Sequence, residues 1–253
     1  MFTKAIVRLP GENIINGLSS SDLGIPDYDK AVLQHSKYIK ALIECGLEVH
    51  VLEPEEKYPD AVFIEDVSLL TPECAIITRP GAPERRGETE IMYDVLKSYY
   101  SNIEMIESPG TVEAGDILMA GSHYYIGLSE RTNISGAEQI IAFLNKYGLT
   151  GSTLEVGNTL HLKSNLAYIE NNNMVISEAY ANLPEFQKYN LIIVDKEEAS
   201  ASNCVWINGN VLVREGYPKL SSLIEALSYK TIKIDNSEFR KIDGGLSCLS
   251  LRF

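Results

Sequence analysis

Apolar residues recur at helical spacing in five stretches of the chain. In the first stretch, 29–45, the side chains of Val32, Ile39 and Ile43 share one face, and Gly46 supplies a C-terminal stop signal. Because residues three or four apart lie on the same side of a helix, the pattern predicts amphipathic helices that bury one face. The other stretches are 88–100, 135–147 and 219–228, together with a short helix that begins at Pro184.

Between these helices the apolar period changes to two, which is typical of β-strands. Paired runs of this kind precede helices two to five, and turn dipeptides such as Gly121-Ser122 and Asn208-Gly209 separate their members. A further apolar run follows each helix. The paired runs are 63–70 with 75–78, 116–119 with 124–127, 166–170 with 174–177, and 203–207 with 211–214.

The resulting order of strand, strand, helix and strand recurs about every 40 to 48 residues and fills the chain five times. A period in this range indicates stacked or ringed modules, and the helix in each module argues against a four-stranded WD40 blade. We predict an α/β fold in which five modules close into a ring, a five-bladed α/β propeller. The ring forms a single domain over residues 1–253.

The polar residues that open the paired runs keep the same register. Their spacings are 47, 48, 42 and 45 residues, between Asp66, Glu113, His161, Asn203 and Cys248. A closed ring brings equivalent positions of its modules to the axis. We therefore expect these side chains to meet in one central cavity although they are remote in the sequence.

Composition narrows the class of partner. The net charge of -13 argues against nucleic acid, because phosphate binding needs clustered Lys and Arg, and it suits a small cationic substrate. No apolar run reaches the roughly 18 residues needed to cross a bilayer, and no polybasic segment indicates a membrane surface. Four cysteines without CxxC spacing, in a sequence that does not open like a signal peptide, predict a soluble cytoplasmic protein.

Several short motifs along the whole chain resemble those of the dimethylargininases, which belong to the guanidine-modifying pentein superfamily. The compact length resembles the short bacterial members more than the longer arginine deiminases. This resemblance implies hydrolysis of N-omega-methylated L-arginine to citrulline and a methylated amine. The motifs are Phe63-Ile64-Glu65-Asp66, Arg79-Pro80-Gly81-Ala82, Arg85-Arg86-Gly87-Glu88, Val112-Glu113-Ala114-Gly115-Asp116, Leu160-His161-Leu162-Lys163 and Ile242-Asp243-Gly244-Gly245-Leu246-Ser247-Cys248.

The resemblance implies a covalent mechanism with three catalytic residues. Cys248 is the nucleophile, since a thiolate attacks carbon readily at an accessible pKa. His161 protonates the departing amine and later deprotonates water, because an imidazole exchanges protons near neutral pH. Glu113 holds His161, or a guanidinium nitrogen, through a charge-assisted hydrogen bond.

The same resemblance implies a set of substrate contacts. Asp66, and with it Glu65, binds the guanidinium group, although strand alternation favours Asp66 for the cavity. At the other end of the substrate, the carboxylate and the amino group are expected to meet Arg85 and Arg131, and Asp60, respectively. Leu18 lies in a Gly- and Ser-rich stretch expected to form a lid, and Ile242 is expected in the apolar wall that receives a methyl group.

The remaining cysteines and histidines lie in stretches whose pattern is typical of core residues. Cys45, Cys74 and Cys204 each lie in an apolar context, and we interpret them as core residues. His35, His50 and His123 are interpreted in the same way. Because the sequence has no HExxH, paired CxxC or Walker motif, we predict neither a metal nor another cofactor, and a homodimer is the expected assembly.

Three alternative functions remain open at this point. A deiminase of free arginine, or of a related guanidine, uses the same thiolate chemistry. A non-catalytic five-module protein like the ribosome anti-association factors shares the ring, but the joint presence of Cys248, His161 and Glu113 opposes it. Papain-like proteolysis places its nucleophile on a helix near the mature N-terminus, whereas Cys248 lies six residues from the end of this sequence.

Overall fold

The computed structural model describes residues 1–157 and 159–253 and contains five three-stranded sheets. In each sheet the middle strand has one antiparallel neighbour, called here the inner strand, and one parallel neighbour, called the outer strand. The strands are β1 Lys4–Arg8, β2 Glu48–Leu52, β3 Ser68–Leu70, β4 Ala75–Ile77, β5 Ile103–Met105, β6 Ile117–Ala120, β7 His123–Leu128, β8 Thr150–Glu155, β9 Leu166–Tyr168, β10 Asn173–Ser177, β11 Asn190–Val194, β12 Val205–Ile207, β13 Asn210–Arg214, β14 Lys230–Ile234 and β15 Leu251–Arg252.

A parallel pair of strands needs a crossover, and helices supply it in four of the five sheets. The predicted order of strand, strand, helix and strand is therefore confirmed in four modules, whereas 3-10 turns replace the helix between β10 and β11. None of the helices in the described part of the chain is both long and apolar enough to cross a membrane. The helices are α1 Tyr28–Glu44, α2 Glu88–Leu96, α3 Ile134–Lys146, α4 Pro218–Ala226 and α5 Ser237–Arg240.

One sheet joins the two ends of the chain. β15 pairs antiparallel with β1 through Ala5↔Arg252 and Ile6↔Leu251, and β1 pairs parallel with β2. The other four sheets are each built from one continuous segment, with strand orders β3-β4-β5, β6-β7-β8, β9-β10-β11 and β12-β13-β14. The last inner strand thus completes the first module, which closes the ring.

The apolar core lies between neighbouring sheets. One cluster packs Leu118 and Tyr125 of the third module against Leu166 and Ile176 of the next, and comparable clusters join the other modules. Because the inter-sheet contacts bury the apolar faces, the ring does not depend on aliphatic side chains at its axis. The axis is left for polar residues.

Two helix predictions need correction. On α1 the buried side chains include Ala31, Tyr38 and Leu42. Of the predicted face, Ile39 packs against the core, whereas Val32 and Ile43 are 38% and 55% exposed. The helix carries two apolar stripes, and the one with the large aromatic side chain faces the core. The helix expected from Pro184 is a single 3-10 turn, Pro184–Phe186, because the outer strand begins four residues later at Asn190.

Candidate active site

A short 3-10 turn precedes the inner strand of every module, and these turns carry the polar residues in equivalent register. Asp66 lies within its turn, Glu113 and His161 are N-caps, Asn203 is a C-cap, and Cys248 lies within the last turn. A 3-10 turn changes the chain direction within three or four residues, so each module presents its polar side chain to the axis. The predicted convergence is confirmed for Asp66, Glu113, His161 and Cys248, which line one cavity.

That cavity, called here the acidic cleft, contains all the predicted site residues except Glu65. Since they come from segments far apart in the sequence, the ring alone brings them together. The predicted residues that line it are Leu18, Asp60, Asp66, Arg85, Glu113, Arg131, His161, Ile242 and Cys248.

His161 is held between two carboxylates. Its Nε2 lies 2.8 Å from Glu113 Oε2, and its Nδ1 lies 3.9 Å from Asp66 Oδ1. Burial lowers the pKa of His161, but the charge of Asp66 and the hydrogen bond to Glu113 outweigh this and raise it to about 9. The ring is therefore an imidazolium at neutral pH, ready to donate a proton.

The contact with His161 also stabilises the charged form of Glu113. Burial alone would raise the pKa of Glu113, but the hydrogen bond to His161 and its charge hold that pKa well below the usual range. The other carboxylate oxygen accepts from the Ala82 backbone N–H at 3.0 Å and lies 3.5 Å from Arg131 Nη1. Glu113 is thus a fixed anion that orients the imidazole.

The carboxylate of Asp66 is also fixed by donors on two sides. One oxygen accepts from Arg85 Nη1 at 2.6 Å and the other from the Gly115 backbone N–H at 3.0 Å. Gly115 has to be glycine, because a Cβ there would lie 2.5 Å from His161 Nδ1 and 2.7 Å from Asp66 Oδ1. This close approach sets the distance between the imidazole and the carboxylate.

Arg85 is buried, and its guanidinium is largely occupied within the protein. Besides Asp66, it donates to both oxygens of Glu88 and to the backbone carbonyls of Asp60 and Phe63. Arg131 is more available, with a side chain 23% exposed and one contact to Glu113. At the open side of the cleft, Arg131 is therefore the freer cation.

The predicted lid lies over the cleft and is tied down at several points. Asp60 accepts the Leu18 backbone N–H at 3.1 and 3.2 Å, and burial raises the pKa of Asp60 despite the nearby Arg85. Ser19 Oγ donates to the Lys241 carbonyl at 2.7 Å. Ile242 is buried against Gly17, where a Cβ would lie 3.0 Å from its Cδ1. The lid and the apolar wall are thus in direct contact.

Cys248 is partly exposed, unlike the other three cysteines, which are buried as predicted. Its Sγ accepts a hydrogen bond from the Gly245 backbone N–H at 3.3 Å. Burial, followed by the charges of Asp66 and Glu65, raises the pKa of Cys248 to about 12. In the absence of a cation in the cleft, the sulfur is a thiol.

Glu65 does not line the acidic cleft and instead faces a second cavity, which Lys163, Ser247 and Arg252 also line. Its carboxylate contacts Lys163 Nζ at 2.7 Å, Arg252 Nη2 at 3.1 Å and Ser247 Oγ at 2.7 Å. Because the turn Ile64–Val67 rotates between successive residues, Glu65 and Asp66 serve different surroundings. Its predicted contact with the substrate stays a prediction.

Two residues of the site received no role from the sequence. Asn203 links the turn that carries Cys248 to the turn after His161, accepting the Ser247 N–H at 3.1 Å and donating to the Lys163 carbonyl at 2.8 Å. Asp116 accepts the Leu162 N–H at 3.0 Å and two hydroxyl groups. The repeat register pointed to Asn203, and the motif around Glu113 contained Asp116. Neither signal shows whether such a residue holds neighbouring turns in place or contacts a substrate.

Among the described residues, Asp66, Glu113 and His161 place potential metal-ligating atoms within 4.8 Å of one another. These atoms already have protein partners, namely Arg85, the Gly115 N–H and the contact between His161 and Glu113. A metal would compete with these donors. The remaining histidines do not line the cleft. His35 is buried as predicted, but the predicted core position is wrong for His50, which is exposed, and for His123, which is half-buried.

Comparisons with known proteins agree with this geometry. A family model described as N,N dimethylarginine dimethylhydrolase, eukaryotic, matches residues 26–193. The chain is 51% identical over 254 residues to N(G),N(G)-dimethylarginine dimethylaminohydrolase of Pseudomonas aeruginosa, with 100% of both chains covered. It is 30% identical over 252 residues to the protein of that name from Streptomyces coelicolor, with 98% and 96% covered. A solved structure of the Pseudomonas aeruginosa protein, a cysteine-to-serine mutant complexed with citrulline, gives a TM-score of 0.99 at 51% identity, covering 100% of both chains.

Proposed function

The chain belongs to the dimethylarginine dimethylaminohydrolase family, and from this membership we propose that it hydrolyses asymmetric dimethylarginine and monomethylarginine to L-citrulline and the methylated amine. The observation that carries the proposal is the contact of His161 with Glu113 in a cleft that also exposes Cys248. A thiol, a protonated imidazole and fixed carboxylates around one cavity suit attack on a cationic carbon.

Substrate binding follows from the charges of the cleft. The guanidinium group lies against Asp66, and the substrate carboxylate meets Arg131, with Arg85 behind it. Asp60 takes the amino group beneath Leu18, and Ile242 offers an apolar surface to a methyl substituent. The support for this arrangement is that all these residues line the same cleft.

In the first chemical step the Cys248 sulfur bonds to the guanidinium carbon, and the bond from that carbon to the dimethylated nitrogen breaks. His161 gives its proton to the leaving nitrogen, so dimethylamine departs neutral and a thiouronium cation remains on the sulfur. The raised pKa of His161 suits this acid role. Glu113 keeps the ring oriented through both steps.

In the second step water gives one proton to the now neutral His161 and its oxygen bonds to the same carbon. The carbon–sulfur bond breaks, the electron pair returns to Cys248, and citrulline leaves after losing its last proton to solvent. Both catalytic groups regain their starting state. The reaction therefore needs no cofactor.

The charge balance of the cleft explains how the nucleophile forms. With the cleft empty, burial and the neighbouring carboxylates raise the pKa of Cys248. A guanidinium cation bound between Asp66 and the sulfur offsets those carboxylates and lowers the pKa of the thiol. We propose that substrate binding itself generates the thiolate, with the thiol proton passing to solvent and returning to the sulfur after citrulline has left.

The decisive experiment compares citrulline release from asymmetric dimethylarginine, monomethylarginine and arginine at equal concentration. The methylated substrates are expected to give the higher kcat/KM, because Ile242 offers their methyl groups an apolar contact. A preference for free arginine would instead identify a deiminase. No turnover of any of them would contradict the proposed function.

The assembly and the cellular setting are further proposals. We infer a single catalytic domain, supported by the pairing of β15 with β1, and a reducing cytoplasmic setting, supported by four free cysteines. The exposed stripe of Val32 and Ile43 on α1 supports a homodimer. Ile43→Asp is expected to reduce the sedimentation coefficient to that of a monomer, whereas Lys40→Asp on the same helix serves as a polar control.

A further inference from the structure

One peptide group lies between a buried arginine and the nucleophilic sulfur. The carbonyl of Gly244 accepts a hydrogen bond from Arg214 Nη2 at 3.2 Å, and the N–H of Gly245 donates to Cys248 Sγ at 3.3 Å. This carbonyl and this N–H belong to the same peptide unit and point in opposite directions. The arginine and the sulfur are therefore joined through a single planar amide.

Arg214 is a buried cation whose charge is not balanced by a carboxylate. It is 7% exposed, and no carboxylate within the described ranges lies within ion-pair distance of its guanidinium. Its Nε is buried and finds no hydrogen-bond partner among the described residues. Since an uncompensated buried charge is costly, a compensating anion is expected nearby. Arg214 and Cys248 line the same cavity, which adjoins the acidic cleft.

The turn that carries the peptide group is rigid. Asp243 has a left-handed backbone with φ of 61°, and a Cβ on Gly244 would lie 2.4 Å from the Phe63 ring. A Cβ on Gly245 would lie 2.5 Å from Asn203 Oδ1. Because both glycines are closely packed, the N–H of Gly245 stays aimed at the sulfur.

We propose that Arg214 is a positioning residue for Cys248, acting through the Gly244–Gly245 peptide group to favour the thiolate. A cation at the carbonyl oxygen polarises the amide, which makes its N–H a stronger donor to a negatively charged sulfur. Once the thiolate forms, its negative charge in turn compensates Arg214. The inference rests on the proposed role of Cys248 as nucleophile.

Other charged groups act on the same sulfur. Asp66 and Glu65 oppose its ionisation and Lys163 favours it, while Asn236 Nδ2 is a neutral second donor to the Gly244 carbonyl at 3.3 Å. Burial and then the nearby Arg240 lower the pKa of Arg214 to about 10, so it stays protonated at neutral pH. The remaining titratable groups that face Cys248 or Arg214 are His161, Asp243, Arg240, Tyr38 and Tyr217.

The test measures the rate at which iodoacetamide alkylates Cys248 in the ligand-free protein across neutral and alkaline pH. Arg214→Gln is compared with Arg240→Gln, which removes an equal charge from the same cavity wall without touching Gly244. Arg214→Lys keeps the charge but not the geometry of the guanidinium, and Cys248→Ser gives the background from the buried cysteines. Circular dichroism checks that each variant is folded.

Arg214→Gln is expected to slow alkylation about tenfold near neutral pH, equivalent to a rise of about one unit in the thiol pKa. Arg214→Lys should fall between this variant and the wild type, and Arg240→Gln should stay within about twofold of the wild type. Equal slowing by Arg214→Gln and Arg240→Gln, or none by the former, would overturn the proposal. If Arg214→Gln does not fold, Arg214→Lys decides, and it must react more slowly than Arg240→Gln.

Citrulline release, measured in parallel, separates this inference from the proposed function. Alkylation reports on the sulfur whether or not the protein turns over a methylated arginine. A wild-type protein without turnover would contradict the function, while the alkylation series would still decide the role of Arg214.

Discussion

Two cavities of the ring, called here its two ends, contain Glu65 and Asp66 respectively and neutralise their charges in different ways. At the end near β15, Glu65 is paired with Lys163 at 2.7 Å and with Arg252 at 3.1 Å. In the acidic cleft, Asp66 and Glu113 face His161 and Cys248, whose protonation changes during the proposed reaction. The same 3-10 turn supplies Glu65 to one end and Asp66 to the other. The ion pairs of Glu65 stabilise the ring, whereas His161 and Cys248 make the acidic cleft reactive.

The largest expected effect is on the reactive end. Cys248→Ser should lower kcat by about four orders of magnitude or more, and His161→Gly by about 10²- to 10⁴-fold, because each removes a group that bonds to the substrate or transfers its proton. Citrulline release measures both. Circular dichroism should be unchanged, and full activity in either variant would eliminate the mechanism.

A paired experiment separates the two ends. Glu65→Gln leaves Lys163 and Arg252 facing a neutral group and should cost about 3 kcal/mol in the free energy of unfolding, with kcat/KM within about threefold of the wild type. Asp66→Asn should lower kcat/KM by about 10²-fold as well as stability. Denaturant titration and steady-state kinetics give both quantities. If Glu65→Gln loses as much kcat/KM as Asp66→Asn, Glu65 acts on the substrate.

The pH dependence of stability should have opposite signs at the two ends. The pKa of His161 is raised from 6.5 to about 9, so its contribution is fully present below pH 6.5 and is lost as the pH rises toward 9. Although burial alone would raise the pKa of Glu65, Lys163 and Arg252 lower it below 4.5, so its contribution is lost only as the pH falls below that value.

Denaturant unfolding at a series of pH values measures these two slopes. His161→Gln should flatten the alkaline side of the stability profile, and Glu65→Gln the acidic side. Parallel curves for the wild type and both variants would show that neither group carries the pH dependence.

A smaller effect is expected from the backbone between His161 and Asp66. Gly115→Ala places a Cβ 2.5 Å from His161 Nδ1, so the imidazole has to move, and kcat should fall about tenfold. Gly121→Ala meets no atom within 4 Å but has φ of +64°, so it should cost about 1 kcal/mol in stability and leave kcat unchanged. Equal kinetics for the two variants would mean that this spacing is not critical.

The sequence predicted the ring because the modules repeat in register, and this repetition located Asp66, Glu113, His161 and Cys248 without any local motif. Prediction from the sequence failed where two structural arrangements share the same apolar pattern. On α1, Val32 and Ile43 form as good a stripe as Tyr38 and Leu42, and only the neighbouring elements decide which stripe is buried. Strand alternation favoured Asp66 over Glu65 for the cleft, which agrees with the structure, although both residues lie in a 3-10 turn and not in a strand.

Arg214 shows a second limit of sequence reasoning. It ends β13 as an ordinary strand residue, and its link to Cys248 exists only because the turn at Gly244 and Gly245 packs beside it. No spacing in the sequence encodes that contact. A supporting contact of this kind, like those of Asn203, becomes visible only when hydrogen bonds are known.

Because β15 pairs with β1, the ring can close only after the last strand has been synthesised. While the ribosome is still translating the last module, β1 has no inner partner and Cys248 has not yet reached its turn. A nascent chain interrupted before Leu251 therefore lacks the seam of the ring, and proteolytic cleavage after Gly245 would remove the seam and the nucleophile together. A molecule cleaved after Gly245 therefore has neither the inner strand that pairs with β1 nor the sulfur of Cys248.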